Sequence, residues 1–221
     1  MNYAIISFST VVILSSILFT VDASASSERD KVVEQEAPRS DEPSMRGAYG
    51  GPFILQDQTG KTVSDDDYRG KFMLLTFGYT SCGDVCPTIL QSMAKVMDLL
   101  GEQSKEVQPL FISLDPKRDT PPKLRDYVTA FHPRLIGLTG PDPYVAAAAR
   151  KYRIKYQVVE GKNGDYSIDH TAVIFLMGPD GAFQERFAHT VTPEEMARRI
   201  ARRITDTPKP EPEKTPKKPN E

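Results

Sequence analysis

The chain has 221 residues, a net charge of −2 and 28 basic against 30 acidic side chains, which suits one ordinary domain with tails and gives no excess of positive charge for nucleic acid. Mean hydropathy of −0.41 is low for a compact domain because both termini are polar. Residues 4–21 are apolar, broken by Ser and Thr, with no Lys or Arg before them. This segment reads either as a cleaved export signal, with Ala23-Ser24-Ala25 as a peptidase site, or as a retained membrane anchor. No Cys lies near it for a lipid anchor, and no Arg precedes Arg29, so an Arg-rich mitochondrial presequence is absent. Export to a bacterial periplasm is expected, with residues 4–21 as the anchor if they are retained. Residues 1–25 are therefore the signal or anchor. Residues 26–46, rich in Ser, Glu, Arg, Asp and Pro, are expected to be a flexible linker.

The expected domain runs from 47 to 205. Phe53 to Val63 reads as a hairpin turning near Gln58-Thr59-Gly60, and Asp65 to Asp67 as a solvated acidic turn. Phe72 to Phe77 is an apolar run that predicts a buried strand. After Cys82 and Cys86, the spacing of Ile89, Met93, Val96, Met97 and Leu100 predicts an amphipathic helix, with Pro87 in its first turn. Gln108 to Leu114 reads as a second buried strand, Pro121 to Phe131 as a helix, Leu135 to Leu138 as a short strand and Pro143 to Tyr152 as a helix. Tyr156–Val159 and Tyr166–Ile168 flank a Gly161–Gly164 turn and predict an extra hairpin. Thr171–Met177 and Ala182–Phe187 flank Gly178-Pro179-Asp180-Gly181 and predict another. Thr192-Pro193-Glu194-Glu195 has the pattern of a capping box opening a last helix through Met196, Ile200 and Ile204. The tail, 206–221, is Pro/Lys/Glu-rich and is expected to be disordered. Strand–helix alternation followed by a hairpin gives an α/β fold with a central mixed sheet, an extra N-terminal hairpin and a late β-hairpin. With a cysteine elbow after a strand, this is a thioredoxin-like arrangement.

Cys82 and Cys86 are the only 2 cysteines. They sit at or just before a helix N-terminus, where free N–H groups favour thiolate. Their i, i+4 spacing permits a disulfide or joint ligation of one soft metal ion, and two inert buried thiols are the plain alternative. A third, borderline donor such as imidazole lets such a site hold copper in both oxidation states. There are 3 histidines. His132, before Pro133, suits a surface or capping role, and His189 suits a loop. His170 ends a loop before a buried strand, on the side that faces the elbow in a thioredoxin-like fold. Asp169-His170-Thr171 has no proline where thioredoxin-like oxidoreductases carry a cis-proline, which favours a metal site over a pure dithiol exchanger. Asp84 and Asp169 are candidates to orient a ligand or offset charge, with plain turn roles as the alternative. Asp115 is expected to brace the loop after its strand. Tyr79 is expected in the core or over the site, and Met73, Met93, Met97 and Met177 in the core.

Phe77-Gly78-Tyr79-Thr80 followed by Cys82-Gly83-Asp84-Val85-Cys86-Pro87 resembles the signature of the Sco/SenC family of copper chaperones for cytochrome c oxidase assembly. Gly50-Gly51-Pro52-Phe53, Ser113-Leu114-Asp115-Pro116 with Arg118-Asp119-Thr120, and Asp169-His170-Thr171 with Gly178-Pro179-Asp180-Gly181 are similar to three further family motifs, over about residues 50–205. The resemblance implies Cys82, Cys86 and His170 as ligands of one copper ion. It also implies delivery to the dinuclear copper centre of cytochrome c oxidase subunit II, and an upstream periplasmic copper donor. Gly83 stands where the family usually has Pro, which should loosen the loop. The same resemblance permits a thiol–disulfide oxidoreductase, with Cys82 attacking and Cys86 resolving. A peroxiredoxin-type peroxidase fits less well, because Tyr79 occupies the position that chemistry gives to Thr.

Overall fold

A computed structural model describes residues 49–207. The expected signal or anchor, the linker and all but the first two residues of the expected tail lie outside the described residues. Among those described, no helix is long and apolar enough to cross a membrane.

Among the described residues, nine strands and four α-helices follow in the order β1 (Ile54–Asp57), β2 (Thr62–Ser64), β3 (Phe72–Gly78), α1 (Val85–Leu100), β4 (Val107–Ser113), α2 (Pro121–Thr129), β5 (Ile136–Thr139), α3 (Asp142–Lys151), β6 (Tyr156–Glu160), β7 (Tyr166–His170), β8 (Val173–Met177), β9 (Phe183–Ala188) and α4 (Pro193–Asp206). Seven strands form one sheet in the order β2-β1-β5-β4-β3-β8-β9. β3, β4 and β5 are parallel, and β1, β8 and β9 join antiparallel. This is the mixed sheet of a thioredoxin-like fold. β6 and β7 pair only with each other, as a separate two-stranded sheet.

β3 shows why its apolar run is unbroken. Phe72 and Leu74 face the layer built with α1, α2 and α4, while Met73, Leu75 and Phe77 face the layer built with α3 and the β1–β2 hairpin. A strand covered on both faces buries every side chain, and every residue of β3 is buried. The α1 stripe of Ile89, Met93, Val96, Met97 and Leu100 is buried as its spacing predicts, and the four named methionines are core residues.

Three local expectations change. Asp65 is buried rather than solvated, because its carboxylate accepts from Phe53 N at 3.1 Å and Arg69 Nη2 at 3.1 Å. Thr192 caps α4 by accepting from Glu195 N at 3.3 Å. The reciprocal half of the box is missing, since the Glu195 carboxylate turns instead to Arg198 and Arg199. His170 ends a strand, not a loop: β7 extends through it, in register with Tyr156 of β6.

Candidate metal centre

The site forms where β3 ends. Open α/β sheets leave a crevice at the carboxyl ends of their strands, and the backbone turns there between Gly78 and Val85. Gly78 is required by close approach. A Cβ there would lie 2.8 Å from Cys86 Sγ and 2.8 Å from Phe111 Cε2. Cys86 thus packs against bare strand backbone, 2% exposed, in an apolar cluster with Tyr79 and Ile168. Burial pushes its thiol up to about 12, with the neighbouring Cys82 sulfur adding to the rise.

Cys82 is half-buried and shifts the other way. Burial alone would raise it, but backbone N–H groups of Asp84, Cys86 and Val85, with the Cys86 thiol, outweigh burial and lower it. Those N–H groups are available because Asp84, at the N-cap, makes no side-chain cap. The free helix start that the cysteine spacing suggests therefore serves Cys82, while Cys86 lies below it.

β7 brings the third side chain. His170 Nε2 lies 3.3 Å from Cys86 Sγ, and Nδ1 lies 3.1 Å from the Thr171 carbonyl. A carbonyl only accepts, so Nδ1 carries the proton and the neutral ring presents its Nε2 lone pair to the sulfur. Burial lowers the His170 pKa, against the Thr171 bond and the Asp169 charge, so the ring is kept neutral. Tyr79 packs edge-on to the ring, with centroids 6.1 Å apart, so it serves both core and site. Two thiols and one bare imidazole nitrogen form a soft-to-borderline donor set that suits copper. As they stand, no three His, Cys, Asp or Glu side chains among the described residues form a closed metal-binding cluster.

The other candidates separate cleanly. His132 Nδ1 accepts from Arg134 N at 3.1 Å, a local capping role, and His189 is exposed between β9 and α4. Asp84 and Asp169 are exposed, and Asp169 acts on His170 through charge. Asp115 braces the loop after β4: it takes Arg118 Nε on one oxygen and the Tyr166 hydroxyl, at 2.8 Å, on the other.

Sequence reasoning placed Asp119 in a motif but gave it no role. It is 0% exposed and accepts from Thr80 N at 2.9 Å, Thr80 Oγ1 at 2.5 Å and Ser113 Oγ at 2.7 Å, tying the elbow to the end of β4. A signal was present: an acidic residue just before the Thr120 N-cap, at the carboxyl end of a buried strand.

Residues 41–205 match the SCO1/SenC family. The chain belongs to that family. It is 42% identical over 155 residues to the human mitochondrial SCO1 homolog, covering 69% of this chain and 52% of that protein. The chain thus spans about half the length of the human relative. Among solved structures, ScoI of Bradyrhizobium japonicum with copper bound is 44% identical, with a TM-score of 0.66 over 71% of this chain and 99% of that one. ScoI of Arabidopsis thaliana with copper bound is 38% identical, with a TM-score of 0.68 over 72% and 99%.

Proposed function

We propose that the chain is a copper metallochaperone in which Cys82, Cys86 and His170 hold one copper ion and pass it on by ligand exchange. The recipient on this reading is the dinuclear copper centre of cytochrome c oxidase subunit II, loaded after export, with residues 4–21 as signal or membrane anchor and residues 47–205 as the carrier domain. The observation that carries it is the His170 ring. Its Nδ1 is committed to the Thr171 carbonyl and its Nε2 faces Cys86 Sγ at 3.3 Å. Histidines that ligate metals are oriented in this way. Closure of the donor set falls to Cys82, on a turn where a Cβ at Gly83 would meet nothing.

The test is copper stoichiometry on the reduced, full-length chain loaded anaerobically. Wild type should bind one copper per chain. His170→Ala should bind more weakly by more than the ~10–100-fold that losing a ligand's outer support costs, and should lose the thiolate-to-copper(II) charge-transfer band. A Cys82→Ser, Cys86→Ser double variant that keeps its copper would refute the reading.

The split between the thiols supports a second reading, a thiol–disulfide reductase acting on copper-ligand cysteines of a partner. An accessible thiol shifted down beside a buried thiol shifted up is the pairing of an attacking and a resolving cysteine. That reading expects His170→Ala to keep full activity in a metal-free exchange assay.

A further inference from the structure

The β6–β7 hairpin carries His170 yet makes no ladder hydrogen bonds to the seven-stranded sheet. Something other than sheet pairing must hold it where Nε2 meets Cys86. Ile168 gives one apolar contact, in the cluster with Cys86 and Tyr79. Tyr79 makes a polar contact with the Ile168 backbone in mid-strand, and a larger polar attachment lies at the start of β7 and centres on Arg118, in the loop after β4.

Arg118 uses its guanidinium in several directions. Nε donates to Asp115, a 3% exposed residue in the loop just after β4. Nη1 donates to the Tyr166 carbonyl at 2.9 Å and reaches Asp165 Oδ1 at 3.3 Å. The guanidinium carbon stacks 3.7 Å from the centre of the Tyr166 ring and lies 5.7 Å from that of Tyr79. Tyr166 closes the loop by donating to the second Asp115 oxygen at 2.8 Å. One side chain thus joins the loop just after β4 to the first residue of β7 and lies near the tyrosine that packs against His170. Only a planar fork can stack on a ring and donate sideways to a carbonyl and a carboxylate together; a lysine ammonium cannot.

We propose that Arg118 is a positioning residue: it clamps the start of β7 to the loop just after β4, and through the short β7 ladder it holds His170 over Cys86. The clamp itself is independent of any metal; its consequence for ligation rests on the copper reading above. Asp115 is the anchor, Tyr166 the surface gripped, and Tyr79 the stop against which the imidazole rests.

Arg118→Gln and Arg118→Lys, made in the full-length chain and solubilised in mild detergent, test this. In the reduced, metal-free state, nuclear Overhauser contacts between the Tyr79 and His170 rings should weaken in both variants. Amide hydrogen exchange over residues 156–170 should accelerate, while β3 and α1 keep wild-type exchange. Copper affinity should fall about 10–100-fold, the size expected when a ligand loses its support, with the stoichiometry unchanged. Unchanged ring contacts and hairpin exchange would overturn the proposal. So would uniform acceleration through β3 and α1, which marks a merely stabilising residue, or full recovery by Lys, which marks a charge effect. A released hairpin with wild-type copper affinity would overturn the link to His170. If wild type takes up no copper, the copper reading fails, and the ring contacts and exchange still decide the clamp.

Discussion

Asp119→Ala isolates what holds the cysteine elbow in place. The carboxylate is fully buried and accepts three hydrogen bonds, from Thr80 N, Thr80 Oγ1 and Ser113 Oγ. Lys123 Nζ lies 3.4 Å away, but it is 44% exposed, so its pairing is screened and adds little. Removing the acceptor orphans the donors, at about 1–3 kcal/mol for each buried group left without a partner. The two hydroxyls can rotate toward other acceptors, whereas the Thr80 N–H is fixed by the backbone, so the total should be about 3–5 kcal/mol. For a domain of this size that corresponds to a fall in Tm on the order of 10 °C. Asp119→Asn keeps an acceptor oxygen but turns an NH₂ group toward a donor, so it should fall between Ala and wild type. Thermal melts of the reduced, metal-free protein measure this. An Ala variant melting within about 2 °C of wild type would mean that the orphaned donors find water or other partners, and the reasoning would be wrong.

Gly78→Ala places a methyl 2.8 Å from Cys86 Sγ and Phe111 Cε2, so it should cost about 1–3 kcal/mol by overpacking. It should also weaken copper binding by pushing Cys86 away from His170; melting and copper titration check both effects. Alkylation of the reduced, metal-free protein should modify Cys82 first, at a pH below the ordinary thiol range, while Cys86 resists until the pH approaches about 12. The linkage follows. The folded chain keeps the Cys86 proton that the unfolded chain releases near 9.0, so this stabilisation is complete below that pH and is lost as pH climbs toward about 12. Cys82 acts in the opposite sense, stabilising above the ordinary thiol pKa and losing that contribution as pH falls through its lowered folded value. Denaturant midpoints across alkaline pH, with Cys86→Ala as control, separate the two.

Much of this architecture is legible because each element announces its own period. An unbroken apolar run such as Phe72–Phe77 needs cover on both faces, and helices on both sides follow from it. The α1 stripe fixes which side of the elbow is core. Cys82, Cys86 and His170 stand out because thiols and imidazoles are scarce in this chain. What stays hidden is long-range and polar. Asp119 reaches back 39 residues to Thr80, and Arg118 reaches forward 48 residues to the Tyr166 carbonyl. Neither partner leaves a periodic trace. Asp65 is misjudged for the same reason: three consecutive aspartates look solvated until Phe53 N and Arg69 supply partners for the first. His170 looks like a loop residue because the β6–β7 hairpin is largely exposed, so its strands lack the alternation that marks a half-buried pair.

On the copper reading, the three proposed donors differ in how firmly they are held, a difference that suits transfer better than storage. Cys86 is fixed by the first turn of α1, by bare backbone at Gly78 and by an apolar cluster, so it cannot follow a departing ion. Cys82 hangs from a turn with no side-chain cap, beside Gly83, whose missing Cβ fills no space. His170 rides on a hairpin clamped at a distance by Arg118. A recipient can then displace Cys82 first and the clamped His170 second while Cys86 keeps the ion in place, so no step requires a bare ion in water. On that reading Gly83, where a Cβ would meet nothing, helps set how readily Cys82 lets go.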